Sequence, residues 1–359
     1  MTAPSEVRLD NPESYRLLDP GDMFRRVNDL PEQIETAWEL ASRVELPPAY
    51  RSVDRVIICG MGGSAIGGSL VETYGAHDIP VPVAVWRNYG LPAWVNESAL
   101  VIAVSYSGNT EETISAMQEA RRRGAPLATI TTGGTAARLA GEWGIPSIQF
   151  SYPAQPRATL GYLFTPLLCL FERLGFLPSQ EEHVREAIDV ARQCRSTWDG
   201  SSPAAGNFAK QLAEALRGRC VVVYGADFLG AVARRWKTQL NENAKSWAFY
   251  EELPELDHNA IVGYEYPQRM PEMIAVVVLN SSLLPERIRV RTEVTAQVLD
   301  RYSVPRHQVD ARGAGRLAQM VSLIALGDYV SYYLALLNGV DPTAIEPIDF
   351  LKQALSRAQ

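Results

Sequence analysis

Two distant stretches of the chain repeat one order of elements. RVIICGMGGSAIGGSLVETYG (55–75) and RCVVVYGADFLGAVARRWKTQLNENAK (219–245) each run from an apolar strand through a glycine into a helix. A strand that turns at glycine into a helix is the unit of a parallel sheet, because the helix must carry the chain back along the sheet before the next strand begins. Around the first stretch, apolar runs recur at RVIICG, VPVAVW, ALVIAVS, PLATIT and PSIQF, separated by helical segments such as EETISAMQEARRRG. Around the second, MIAVVVLN and VPRHQVD supply later strands. The fold class expected is therefore α/β: two doubly wound parallel-sheet αβα sandwich domains with flanking helices.

The boundaries follow from the breaks in this pattern. Residues 1–48 form a helical extension, amphipathic from about 21 to 44, and 49–152 form the first α/β domain. Residues 153–204 connect, with PLLCLFERLGFL and EEHVREAIDVARQCR as helices and a polar break at STWDGSSPAAGN. The second α/β domain spans 205–312 and a helical C-terminal region spans 313–359, with a turn at NGVDPT. A chain of 359 residues accommodates two such domains.

Composition removes several functions. The opening MTAPSEVRLDNPESYRLLDP has no apolar leader core, and no apolar run nears the ~20 residues that span a bilayer, so a cytoplasmic protein with no membrane partner is expected. A net charge of -7 argues against nucleic acid. Cys59, Cys169, Cys194 and Cys220 lack CxxC spacing and read as free thiols buried in the core. The four histidines, His77, His183, His258 and His307, form no ligand motif, so no metal and no cofactor are expected.

Chemistry concentrates in two glycine-containing turns of the first repeat. VSYSGNTEET (104–113) follows a buried strand with hydroxyls and a glycine. One reading is a helix cap, with Asn109 and Glu112 as a capping box. The other is an anion site at a helix N-terminus. GMGGSAIGGS (60–69) ends the neighbouring strand, and there Gly60-x-Gly62-x-x-Ala65 also fits a dinucleotide fingerprint. That fingerprint wants an acid at the end of the second strand, where this chain has Trp86 and Arg87. No Gly-Lys-Ser/Thr follows, so a P-loop does not fit. Ser64, Ser105, Ser107 and Thr110, with the amides of Gly62 and Gly63, would instead surround a phosphomonoester. The second repeat keeps Gly225 but has Ala226, Asp227 and Phe228 where the first has Met61, Gly62 and Gly63.

A second cluster lies at LNENAKSWAFYEELPELDHN (240–259). Glu242, between Asn241 and Asn243, is either a solvated helix residue or half of a carboxylate–imidazole pair with His258, suited to moving protons. Arg157 in AQPRATLGY could neutralise an oxyanion and Lys352 in DPTAIEPIDFLKQAL could add a polar contact; a surface salt bridge is the competing reading for each.

The segments GMGGSAIGG, SYSGNTEET, QPRATLGY, NENAK, LPELDHN and DPT…IDFLK occur in the order found in the bifunctional phosphoglucose/phosphomannose isomerase family, which this chain resembles over nearly its whole length. The resemblance implies two sugar isomerase (SIS) domains and a homodimer acting on hexose 6-phosphates. It implies that the first-domain loops hold the phosphate, with Glu242 as the base between carbons 2 and 1. His258 would cross the dimer interface to assist ring opening. Arg157 would stabilise the cis-enediolate, Lys352 would contact the ring oxygen or a nearby hydroxyl, and Thr343 is the candidate for mannose acceptance. Asp257 stands where asparagine is expected, and its carboxylate could raise the basicity of His258. The readings set against this one are a non-catalytic sugar-phosphate sensor, for which no helix-turn-helix precedes the first repeat, and an isomerase of amino-sugar or pentose phosphates.

Overall fold

The computed structural model describes residues 8–357, without the side chain of Ser356; residues 1–7, where the expected N-terminal extension and its leader-free start begin, lie outside the described residues. Helices α1 (Met23–Asn28) and α2 (Leu30–Ser42) lead in. In α2, Leu30, Ile34, Ala37 and Ala41 recur at helical spacing and are buried.

The apolar runs of the first repeat become β1 (Arg55–Cys59), β2 (Val83–Trp86), β3 (Ala99–Ser105), β4 (Leu127–Thr131) and β5 (Ser147–Gln149). Between them run α3 (Gly62–Tyr74), α4 (Glu111–Arg122) and α5 (Gly134–Trp143). The sheet is parallel throughout, in the order β2-β1-β3-β4-β5. Every residue of β3 is buried, so it reads as an unbroken apolar run. Along β1, Val56 and Ile58 enter one core while Ile57 and Cys59 enter the other, as the period of a strand requires. The strand order reverses between β1 and β3. Their following turns therefore part and leave a crevice at the carboxyl edge.

Helices α6 (Leu160–Arg173), α7 (Glu181–Trp198) and α8 (Phe208–Leu216) join the repeats. The second sheet contains β6 (Cys220–Ala226), β7 (Ala248–Leu253), β8 (Ile274–Asn280) and β9 (Arg306–Asp310), parallel in the order β7-β6-β8-β9. With it come α9 (Gly230–Glu242), α10 (Met270–Met273) and α11 (Glu286–Arg301), then α12 (Arg316–Leu337) and α13 (Glu346–Arg357). Sequence reading assigns no strand to AFYEEL, which is β7. As an edge strand it exposes Phe249, and it lacks the continuous apolar run that marks β6 and β8.

One expectation is corrected by α12. It is 22 residues long and apolar enough by length and composition to cross a bilayer. Every residue from Leu317 to Leu336 is nonetheless buried, and α12 packs on α7, α8 and α9. A helix apolar on all sides suits the centre of a large core as well as it suits lipid. Cys59, Cys169 and Cys194 are buried free thiols, and burial pushes each up to about 12. Cys220, at the start of β6, is only half-buried.

The two sheets point in opposite directions. α3 begins beside residues 156–158 and ends beside 227–229, just before α9 begins. α9 then ends at Glu242, beside Arg157. Since α3 and α9 each run back along their own sheet, the carboxyl edge of the first sheet meets the amino edge of the second.

Candidate active site

The two turns at the first sheet's carboxyl edge are tied together. The amide of Tyr106, just past β3, donates to the Ser64 hydroxyl in the first turn of α3 (3.2 Å). Ser105, buried at the end of β3, shares a hydrogen bond with Thr110 (3.0 Å) and accepts from the Gly108 amide (3.1 Å). Gly108 has φ +69° and sits so close to Gly133 that a Cβ would lie 1.8 Å from its carbonyl oxygen. Ser107 is exposed at the rim, and its hydroxyl accepts from the Asn109 amide (3.2 Å). Gly62 opens α3, whose first turn has no acid, so an anion there would meet unopposed backbone N–H groups.

The capping box does not form. Thr110 occupies the N-cap of α4 without a side-chain cap bond. Asn109 instead accepts from the Thr135 amide (2.9 Å), fastening this turn to the start of α5.

Arg157 connects that crevice to the second domain. A Cβ on Gly63 would lie 2.8 Å from the Pro156 carbonyl, so only glycine lets the 156–158 turn close on α3 at this distance. Arg157 is 2% exposed, which rules out a surface salt bridge. Its Nε donates to Asn243 Oδ1 (2.6 Å), and its Nη2 donates to the carbonyls of Pro342 (2.6 Å) and Thr343 (3.0 Å). Its Nη1 faces Glu242 Oε2 at 3.4 Å. Burial lowers the Arg157 pKa, with Glu242 and Asp341 opposing. Glu242, the last residue of α9, keeps 27% of its side chain exposed, so its carboxylate is both paired and reachable.

A cavity of about 630 Å³ lies alongside, lined by Glu242, Lys245, Asp341, Ile345 and Ile348 among others, within the size range of small-molecule sites. A larger one of about 1270 Å³, between residues 8–18, α8 and the end of α12, contains none of the residues singled out here for chemistry.

Other expected residues stand apart. His258 is exposed in a 3-10 turn after β7. It follows the carboxyl end of β7, whereas Glu242 precedes its amino end. A six-residue strand, roughly 20 Å long, separates those edges. Asp257 does not serve His258: its carboxylate accepts from Arg291 (3.1 Å) and Thr295 (2.8 Å) on α11. Lys352 is exposed on α13, roughly 9 Å along the helix from Glu346, which lines the smaller cavity. The Thr343 hydroxyl packs against Gly21 without a hydrogen-bond partner, and Thr343 meets the cluster through its carbonyl. Among the described residues, no three His, Cys, Asp or Glu side chains group as metal ligands.

Family models match both halves of the chain. The SIS domain family matches residues 50–143, and the bacterial phospho-glucose isomerase C-terminal SIS domain matches residues 205–355. The chain is 40% identical over 335 residues to a bifunctional phosphoglucose/phosphomannose isomerase of Caldicellulosiruptor bescii, spanning 93% of this chain and 99% of that one. With the protein of the same name from Thermoplasma acidophilum it shares 36% over 329 residues, 90% and 97% of the two chains. The chain belongs to the bifunctional phosphoglucose/phosphomannose isomerase family. It is a sugar-phosphate isomerase. A hypothetical protein of Thermus thermophilus has the same fold, with a TM-score of 0.75 at 16% identity over 96% of this chain and 93% of that one.

Within this family member, sequence reasoning passed over the support beneath the cluster. Arg235 on α9 donates to the Arg157 carbonyl (3.2 Å) and to both oxygens of Asp328 on α12 (2.7 and 2.9 Å). Gln239 adds a bond to Asp328 (2.8 Å), and Asn243 donates to Ser331 (3.0 Å). Burial raises the pKa of Asp328 against the pull of Arg235. A charged Asp in the middle of an apolar helix was the available signal, since such a group is buried only with a partner.

Proposed function

We propose that this isomerase interconverts glucose 6-phosphate and mannose 6-phosphate with fructose 6-phosphate. The phosphate sits among Gly62, Gly63, Ser64, Ser105, Ser107 and Thr110, held by hydroxyls and helix N-termini. Glu242 removes the proton from C2 of the open aldose, and the C–H electron pair forms the C1–C2 double bond while O1 takes the negative charge. Arg157 stabilises that cis-enediolate, and Glu242 returns the proton to C1 as the C2=O2 double bond forms and the O2 proton passes to O1. Protonation of C2 on either face gives both epimers.

The observation that supports this reading most directly is the contact chain from Gly63 through Arg157 to Glu242. The glycine turn of α3 and a carboxylate lie on either side of one buried cation, which supports reading that turn as the phosphate cradle and the carboxylate as the base.

Ring opening falls to His258 of a second copy, because the protomer's own His258 is at the far edge of its sheet. A homodimer also accounts for the apolar surface on the second domain and α13: Trp247, Val262, Tyr266, Phe350 and Leu355 are all more than half exposed. Lys352 and Thr343 complete the sugar contacts in this reading. Hexose phosphates are charged and cross bilayers poorly, so a cytoplasmic site of action fits the substrate. The test incubates purified protein and a chelator with glucose 6-phosphate and, separately, mannose 6-phosphate, following fructose 6-phosphate. Both are expected to convert; conversion of neither would refute the reading.

A further inference from the structure

Three residues beyond Glu242, the chain turns back on itself at a lysine. Lys245 adopts φ +53°, a left-handed conformation that glycine or asparagine ordinarily fills at the end of a helix. Its ammonium group donates to the carbonyls of Glu242 (2.8 Å) and Asn243 (3.3 Å), in the last turn of α9. A third bond goes to the Asp341 carbonyl (2.6 Å), in the turn that follows α12. Arg157 binds the next two carbonyls of that same turn, Pro342 and Thr343. Two cations thus grip one turn from adjacent positions, and each also touches Glu242, one through its carboxylate and one through its carbonyl.

We propose that Lys245 is a positioning residue of the isomerase site: its ammonium group fastens the carboxyl end of α9 to the 341–343 turn and so sets the Glu242 carboxylate against Arg157. This rests on Glu242 being the base. An unstrained residue at 245 would lack the long cationic arm that spans the two segments, which is a physical reason for a lysine to occupy a left-handed position.

The charged groups facing Lys245 are Arg157 from the 156–158 turn, Glu242 from α9, Asp341 from the turn after α12 and Glu346 from α13. Burial lowers the lysine's pKa to about 8 and Arg157 adds to this, while Asp341, Glu242 and Glu346 oppose. Lys245 is exposed as a whole residue, which screens much of that shift. The three carbonyl contacts stand independently of it. Loss of the proton weakens charge-assisted bonds and loosens the turn.

The test compares pH–rate profiles and melting temperatures of the full-length wild type, Lys245→Met, Lys245→Arg and Lys245→Gly, with fructose 6-phosphate as substrate. Misplacement of a base by about 1 Å costs on the order of 10²-fold, so Lys245→Met should lose roughly 10- to 100-fold in kcat with little change in KM. Lys245→Gly, relieved of the left-handed strain, should fold at least as well as Lys245→Met and be as slow. Wild-type kcat should decline as pH rises past about 8, and Lys245→Arg, which does not titrate, should carry the plateau to higher pH. A Lys245→Met or Lys245→Gly enzyme with wild-type kcat, or a Lys245→Arg enzyme with an unmoved alkaline limb, would overturn the role given to Lys245. Absence of turnover by the wild type itself would overturn the function on which that role rests.

Discussion

At the scale of single residues, Arg157 and Glu242 illustrate how far side-chain chemistry depends on neighbours. In QPRATLGY an arginine between Pro and Gly reads as a surface cation, yet Arg157 is buried with four polar groups around it. Replacing it with methionine leaves Asn243, two carbonyls and the Glu242 carboxylate without their cation. We expect a loss of roughly 3 kcal/mol or more in urea unfolding. Glu242→Gln keeps the size of the side chain and removes its basicity. Its isomerisation rate should fall ~10²–10⁴-fold, with no solvent deuterium entering the product, while a phosphorylated sugar acid still binds. Retention of wild-type exchange would exclude Glu242 as the base. Lys245 carries a pH signature in stability as well as in rate. Its pKa is about 8 folded against 10.5 as a free side chain, so between those values the unfolded chain holds more protons and rising pH favours the folded state. Relative to Lys245→Met, wild-type stability should therefore grow across that window, opposite in sign to the activity, in chemical unfolding followed by fluorescence.

At the scale of elements, the close approach of the 156–158 turn to α3 carries the site. Gly63→Ala would push a methyl into the Pro156 carbonyl, and backbone cannot yield as a flexible side chain can. Overpacking of this kind costs roughly 1–3 kcal/mol. Because the displaced turn holds Arg157, kcat/KM should fall together with the melting temperature, which steady-state kinetics and thermal unfolding would show. The central strands of the first sheet, β1, β3 and β4, were legible because burial on both faces demands unbroken apolar runs. β7 was not, because an edge strand satisfies its ladder on one side and tolerates AFYEEL. The pairing of Asn109 with Glu112 misled for a related reason: a local cap competes with a bond to another loop, and Thr135 is brought near only in the folded chain.

At the scale of the whole molecule, the length of β7 separates His258 from Glu242 within a protomer, and the opposed directions of the two sheets leave Glu242 rather than His258 beside the turns of the first domain. Mixing Glu242→Gln subunits with His258→Ala subunits tests whether a second copy supplies the imidazole. Random pairing should restore up to about a quarter of wild-type activity, since half of the dimers are mixed and each mixed dimer has one intact site. No recovery after subunit exchange, checked by native mass spectrometry, would place both residues in one chain. By itself the sequence determined the doubly wound class, the repeat and the hydroxyl-rich turns, because apolar periodicity and glycine act over a few neighbouring residues. Only the tertiary structure decided that Arg157 is buried, that Asp328 and Arg235 hold it from below, and that the second sheet is inverted. Those outcomes depend on which helix faces meet, and a side chain's burial is set by segments far from it in the chain.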